Sequence, residues 1–198
     1  MHLVDYRDAP VQGSSTLSPV RRYTYDELVA EFPESAQPCE LWDGELCMSP
    51  TPSFRHQEIS LRFYRKLFDW VDDGKLGKVI AAPIDVVLSP HRVVQPDVAF
   101  IAQERLDIIQ RVIIGAPDLV AEIVSLGGRN RDRIEKRDLY EQYGVKEYWI
   151  IDPESATLDV LGLVDDRYEL VTRRGAGDRA SSRLLNGFEV PVDWVFQQ

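Results

Sequence analysis

Hydrophobic positions recur with helical spacing in three segments of the chain. The longest predicted helix covers 53–74, where apolar side chains repeat along one face, namely Ile59, Phe63, Leu67 and Val71. A shorter helix is predicted over 24–32, because Thr24 and Glu27 have the spacing of a capping box. A third helix is predicted over 131–144.

Runs rich in Val and Ile between polar turns, Gly and Pro predict strands. Asp43-Gly44 predicts the turn of a hairpin over 38–49. Further strands are predicted over 78–89, 92–101, 118–125 and 146–152, and an antiparallel meander over 157–190. This order predicts a mixed α/β fold (α+β) with a central mixed sheet flanked by helices, an N-terminal hairpin and C-terminal antiparallel strands.

Length and composition are those of an ordinary globular domain. The 198 residues are 44% hydrophobic and 28% charged, so we expect a single domain over 21–198 after a flexible lead-in over 1–20. No apolar run is long enough to cross a membrane, and the N-terminus lacks the apolar core of a signal peptide. We therefore expect a cytoplasmic protein.

The chain has only two cysteines, and both belong to the predicted hairpin. A two-residue turn places Cys39 opposite Met48 and Cys47 opposite Glu40. This register does not favour a disulfide, and two cysteines are too few for a zinc site. We expect both thiols to be reduced.

A net charge of −10 is unfavourable for binding nucleic acid, which depends on Lys and Arg. Basic residues nevertheless cluster in 127–137, where the arginines are Arg129, Arg131, Arg133 and Arg137. They fit either contacts with backbone phosphates or a solvated helix face. Net charge alone does not identify the partner.

Three predicted strands each carry one acid within an apolar run: Asp85, Asp97 and Glu122. A buried carboxylate is costly unless it is paired, protonated or bound to a metal. Neighbouring carboxylates repel each other, and a divalent cation such as magnesium or manganese relieves that repulsion. The pattern indicates a metal site, with unrelated structural ion pairs as the alternative.

Lys136 lies on the apolar face of the predicted helix 131–144. At 100° per residue, this face holds Asp132, Lys136, Leu139, Tyr140 and Tyr143. Lys136 therefore points towards the sheet, while Ile134 is on the far side. An inward lysine beside carboxylates is either a structural ion pair or a catalytic cation.

Three stretches together, "VVQPDVAFI", "PDLVAEIVS" and "RDRIEKRDLYEQYGVKEYWIIDPE", resemble the Uma-type family of restriction endonucleases. That family belongs to the PD-(D/E)XK nuclease superfamily. The N-terminal stretch "CELWDGELCMSPTPSFRHQEIS" is similar to the opening of the same family. The resemblance extends over roughly 24–165.

The resemblance implies a restriction-endonuclease-like core and a Mg²⁺- or Mn²⁺-dependent endonuclease that cleaves DNA. It implies Asp97, Glu122 and Lys136 as catalytic residues, with Asp97, Glu122 and the Ile123 carbonyl as metal ligands. Val124 stands where the superfamily usually has its lysine, two residues after the second acid, and Lys136 from the next helix matches the Uma-type pattern instead.

One departure from the family motivates an alternative function. After Glu122 the chain continues with "SLGGRN" where family members often have P-S-T. Together with the acidic charge, this favours a catalytically degenerate nuclease-fold protein that binds or scaffolds. The resemblance also makes a homodimer plausible, but the sequence shows no heptad run as an interface.

Three further residues have open roles. Glu40 is either close to the metal or a carboxylate on the hairpin face. His56 forms a structural hydrogen bond or takes part in catalysis. Asp85 is interpreted as a partner of the ligands rather than a ligand.

Overall fold

The computed structural model describes residues 21–32, 39–48, 51–125 and 134–197. The predicted lead-in over 1–20 lies outside the described residues. Within them the helices are α1 (Tyr25–Glu31), α2 (Phe54–Gly74), α3 (Lys136–Gln142) and α4 (Val192–Phe196), with a 3-10 helix over Gln103–Ile108. None of these helices is both long enough and apolar enough to cross a membrane.

The first two helices are those the sequence predicts. The Thr24 side chain accepts a hydrogen bond from Glu27 N, and the Glu27 carboxylate accepts one from Thr24 N, so α1 has the predicted capping box. The Ser53 side chain caps α2 by accepting from His56 N. Part of the predicted helix 131–144 lies outside the described residues.

Strands account for most of the remaining described chain. They are β1 (Cys39–Trp42), β2 (Glu45–Met48), β3 (Gly77–Ala81), β4 (Val86–Ser89), β5 (Arg92–Val94), β6 (Val98–Ala102), β7 (Ile113–Ile114), β8 (Leu119–Ile123), β9 (Glu147–Asp152), β10 (Thr157–Val164), β11 (Arg167–Arg174), β12 (Arg179–Ser181) and β13 (Glu189–Pro191). The β1–β2 hairpin has the predicted register, with Cys39 opposite Met48, and both thiols are free.

The strands form two main sheets. One has the order β11-β10-β9-β8-β6-β3, in which β8 and β9 are parallel and the other neighbours antiparallel. The other has the order β2-β1-β5-β4-β7. Strands β12 and β13 form a separate pair, so the predicted C-terminal meander is antiparallel but does not stay in one sheet.

The prediction of one strand over 78–89 and one over 92–101 is wrong. Each segment contains two strands that belong to different sheets: β3 and β6 pair in the six-stranded sheet, while β4 and β5 pair in the five-stranded sheet. Pro83 and Pro96 lie at the breaks. Proline cannot donate a main-chain hydrogen bond, so the ladder stops at each position.

The six-stranded sheet is buried on both faces, as predicted for a central strand containing Glu122. Leu119, Ala121 and Ile123 of β8 pack in a core with α2 and the C-terminal residues. Val120 and Val124 belong to a second core on the other face, which includes residues of α3 and of the five-stranded sheet. Glu122 shares this second face, because alternate residues of a strand point to the same side.

We expect the fold to lose stability when a side chain of α2 in the first core is shortened. Leu67 is fully buried there, so we expect Leu67→Ala to lower the free energy of unfolding by about 2–5 kcal/mol through lost burial and cavity formation. Urea denaturation followed by circular dichroism measures the change.

Leu170→Ala is the matched control, because Leu170 of β11 is 54% exposed. We expect that change to stay within about 0.5 kcal/mol. Equal losses for the two variants would contradict this assignment of the core.

Candidate active site

Glu122 is the penultimate residue of β8 and is almost entirely buried. Its Oε1 atom accepts a hydrogen bond from Lys136 Nζ at 2.8 Å and another from Tyr140 OH at 2.7 Å. Both donors are on α3, which packs over this face of the sheet. The carboxylate in the apolar strand is therefore held by a buried cation and a buried hydroxyl, as a desolvated charge requires.

Lys136 is the first residue of α3, and its side chain points inward as predicted. The buried residues of α3 are Lys136, Leu139 and Tyr140; Tyr143 is half-buried and Ile134 is exposed. The same lysine lies 3.3 Å from Glu40 Oε1 as well as 2.8 Å from Glu122 Oε1. One ammonium thus lies between two buried carboxylates.

Glu40 is brought to this point by the hairpin, where β1 pairs with β5. Its Oε1 atom accepts from the main-chain N–H of Gln95 at 3.0 Å, and its Oε2 atom accepts from Trp42 Nε1 at 3.0 Å. These two neutral donors fix the carboxylate while Oε1 also faces Lys136. The geometry therefore favours a place in the site over that of a carboxylate on an open hairpin face.

Asp97 lies directly before β6, next to the end of β8. Its Oδ2 atom accepts from Ile123 N at 2.7 Å, and its carbonyl accepts from Ala82 N at 2.9 Å. Since β6 and β8 pair Val98 with Ala121, the register extended by one residue places Asp97 opposite Glu122. The structure thus brings Asp97, Glu122 and Lys136 to one end of the six-stranded sheet.

His56 is on the first turn of α2, and its side chain contacts the Asp97 carboxylate. Its Nε2 atom is 3.3 Å from Asp97 Oδ2, the oxygen that also accepts from Ile123 N. His56 therefore contacts the candidate site through Asp97. Both roles proposed for it from the sequence are compatible with this contact.

Asp85 does not converge with the other acids. It accepts hydrogen bonds from Gln95 Nε2 at 2.7 Å and from Tyr25 OH at 3.3 Å. Gln95 in turn donates its main-chain N–H to Glu40, so Gln95 links Asp85 to the site. This position agrees with the interpretation of Asp85 as a partner and not a ligand.

Tyr140 keeps its proton in this environment. Burial, together with the negative charge of Glu122, holds the pKa of the Tyr140 hydroxyl well above its ordinary value. The hydroxyl therefore remains a hydrogen-bond donor to Glu122 throughout the physiological pH range. The sequence places Tyr140 on the apolar face of the predicted helix, and its position four residues after Lys136 puts both side chains on the same side.

Two other contacts were missed in the sequence. Trp42 is two residues from Glu40, so both side chains point to the same face of β1. This spacing could have predicted the hydrogen bond between them. Gln95 contacts Glu40 through its main chain, which no side-chain pattern reveals. Of the four clustered arginines, Arg137 is exposed, and Arg129, Arg131 and Arg133 lie outside the described residues.

The metal ligands predicted from the resemblance are two carboxylates and one main-chain carbonyl. In the part of the chain that the structure describes, no three His, Cys, Asp or Glu side chains form a metal-binding group. Asp97 Oδ1 accepts no hydrogen bond from the described residues, and its side chain is 17% exposed. Asp97 is thus the more accessible of the two predicted carboxylate ligands.

Comparison with known proteins places this chain in a family. The model of the Uma2 family, described as "Putative restriction endonuclease", matches residues 24–193. The chain belongs to this family. No curated protein matches the chain.

A solved structure has the same fold. It is a crystal structure from Anabaena variabilis ATCC 29413, described as "a putative nuclease belonging to DUF820". The two are 18% identical, with a TM-score of 0.72, and the match covers 87% of this chain and 97% of the other. The fold is therefore restriction-endonuclease-like, as the sequence resemblance implied.

We expect removal of the Lys136 charge from the buried cluster of Glu40, Glu122 and Lys136 to destabilise the fold. Lys136→Met leaves Glu40 and Glu122 facing each other without the ammonium, so we expect a loss of about 3–5 kcal/mol in the free energy of unfolding at neutral pH. Urea denaturation measures this loss.

The double variant Lys136→Met/Glu40→Gln should recover part of the stability, since it removes one of the two opposed carboxylates. We would abandon the account of the cluster if Lys136→Met were as stable as the wild type, or if the two changes were simply additive.

Proposed function

We propose that this protein is a metal-dependent endonuclease that hydrolyses phosphodiester bonds in DNA. One observation carries the proposal: at one end of the six-stranded sheet Asp97 accepts a hydrogen bond from Ile123 N, and Lys136 contacts Glu122, the residue before Ile123. Membership of a family described as "Putative restriction endonuclease" supports the same activity. A cytoplasmic location stays a prediction.

The donor set fits a magnesium ion. Mg²⁺ prefers oxygen ligands and is commonly held by one or two carboxylates, with water and substrate phosphates completing its coordination. Asp97 and Glu122 offer the carboxylates, and the Ile123 carbonyl follows directly along β8. Asp97 Oδ1, without a donor among the described residues, is the atom best placed to serve as a ligand.

Each residue then has a distinct role. A bound Mg²⁺ or Mn²⁺ would supply an activated water molecule and stabilise negative charge on the phosphate. Lys136 places its ammonium at the site, where it offsets the charge that develops on the phosphoryl oxygens. Glu40 is a second carboxylate partner of Lys136, and His56 holds Asp97.

Tyr140 completes the support of Glu122. Its hydroxyl donates to the same oxygen as Lys136, which fixes the carboxylate even when the substrate is absent. Such preorganisation matters because a catalytic group that is already in place needs no reorganisation during the reaction. The negatively charged chain would gain part of its attraction for DNA from the bound cation.

Glu122→Gln tests the proposal. The amide keeps the size of the side chain but removes the charge that would hold the metal, so we expect plasmid cleavage to fall by at least about a hundredfold. Supercoiled DNA is incubated with the protein and Mn²⁺, and the conversion to nicked and linear forms is measured on gels.

Glu104→Gln is the matched control, because Glu104 is an exposed carboxylate on the 3-10 helix. It should cleave as the wild type does, and a chelator should stop both proteins. A Glu122→Gln variant that is folded and fully active would refute the assignment of the site.

A second candidate function is a nuclease-fold protein that binds or scaffolds without catalysis. The observation that favours it is the contact between Lys136 and Glu122, since the lysine already neutralises the acid that would hold the metal. In that case the cluster stabilises the fold and needs no cation. The two candidates differ in whether Mn²⁺ binds at Asp97 and Glu122.

A further inference from the structure

The outer face of α2 carries large apolar side chains. The helix buries Ile59, Phe63, Leu67 and Val71 against the sheet. On the opposite side Phe54, Leu61 and Phe68 are 85%, 58% and 39% exposed. We call these three residues the outer stripe. Exposed large apolar residues grouped on one face indicate an interaction surface.

The spacing of the outer stripe is regular. Its members are seven residues apart, which is two turns of helix, so they form a line along about 21 Å of the surface. The same spacing occurs at interfaces between paired helices. The outer stripe therefore fits another helix better than it fits a globular ligand.

The outer stripe is complementary to itself. Leu61 is its midpoint, with Phe54 seven residues before and Phe68 seven residues after. If a second copy of α2 runs antiparallel across a two-fold axis at Leu61, each Phe54 faces the partner's Phe68. The two leucines then meet on the axis, as an isologous contact requires.

Opposite charges lie beside the outer stripe, nearly symmetric about Leu61. Glu58 and Arg65 flank one side of it, three residues before and four residues after Leu61. The two-fold axis would bring Arg65 towards the partner's Glu58, and the reverse. The Arg65 side chain is 77% exposed and lies 3.8 Å from the exposed Asp69, so it can turn towards a partner. Glu58 already contacts Arg55 at 3.0 Å and Arg62 at 2.7 Å, and Arg65 of the second copy would join this group.

We propose that the outer stripe is a self-association surface, on which two copies of the protein pack their α2 helices antiparallel with Leu61 at the two-fold axis. A homodimer, which the family resemblance made only plausible, would then have a specific surface that does not depend on nuclease activity. A single pair of helices is small among specific interfaces. The dimer should therefore dissociate on dilution.

Analytical ultracentrifugation over a wide range of protein concentration tests the proposal. The wild type should shift from monomer to dimer as its concentration rises. Leu61→Lys places two like charges together on the axis, so we expect its association to weaken by about a hundredfold or more. Circular dichroism checks that the variant is folded.

Ile134→Lys is the matched control, because Ile134 is 56% exposed and precedes α3, which packs on the other face of the six-stranded sheet from α2. It should associate as the wild type does. A wild type that stays monomeric at every concentration would overturn the proposal, and so would a Leu61→Lys variant that still dimerises.

Cross-linking locates the axis. In a background with Cys39→Ser and Cys47→Ser, Leu61→Cys should form an intermolecular disulfide under mild oxidation, while Ile134→Cys should not. Equal cross-linking at both positions would overturn the proposed geometry. The proposal would also be overturned if the wild type were monomeric and the Leu61→Lys variant cleaved DNA more slowly. The outer stripe would then contact the substrate and not a second copy.

Discussion

The placement of one ammonium between two buried carboxylates constrains the whole structure. Lys136 contacts Glu122 and Glu40, and all three side chains are almost fully removed from water. Desolvating such charges is costly unless each finds its partners with good geometry. The start of α3, the end of β8 and the hairpin strand β1 must therefore meet at one point, and the two sheets are held in the arrangement that allows it.

The segment between β3 and β6, which contains β4 and β5, brings Glu40 close to Lys136. Ladder pairing stops near Pro83 and resumes in the six-stranded sheet after Pro96, so the intervening chain is free to form β4 and β5 of the other sheet. Strand β5 pairs with β1, and Gln95 at its end donates to Glu40. The site thus combines the end of a restriction-endonuclease-like sheet with an acid supplied from a second sheet.

Local patterns were enough to predict several parts of this account. The α1 capping box, the α2 core face, the register of the hairpin and the inward direction of Lys136 follow from spacing alone, because each depends on residues close together in the chain. The family and fold expected from the resemblance are confirmed.

Features that depend on tertiary pairing could not be predicted in this way. The runs 78–89 and 92–101 have continuous strand character, and only the pairing partners show that each divides between two sheets. The contact between Glu40 and Lys136 joins residues 96 positions apart, and the Gln95 donor is a main-chain group. The catalytic and metal-binding roles of Asp97, Glu122, Lys136 and Ile123 stay predictions, because geometry shows proximity and not chemistry.

The central proposal is that Asp97 and Glu122 together hold a metal ion. Anomalous diffraction from crystals soaked in Mn²⁺ tests it most directly, because the signal locates the ion without requiring the right DNA substrate. We predict a peak within coordination distance of Asp97 and Glu122, lost in Asp97→Asn. The contrary result is a folded protein in which Lys136 contacts Glu122 and no peak lies near Asp97 or Glu122, at Mn²⁺ concentrations that saturate nucleases. That result would contradict the metal site and favour a purely structural role for the ion cluster.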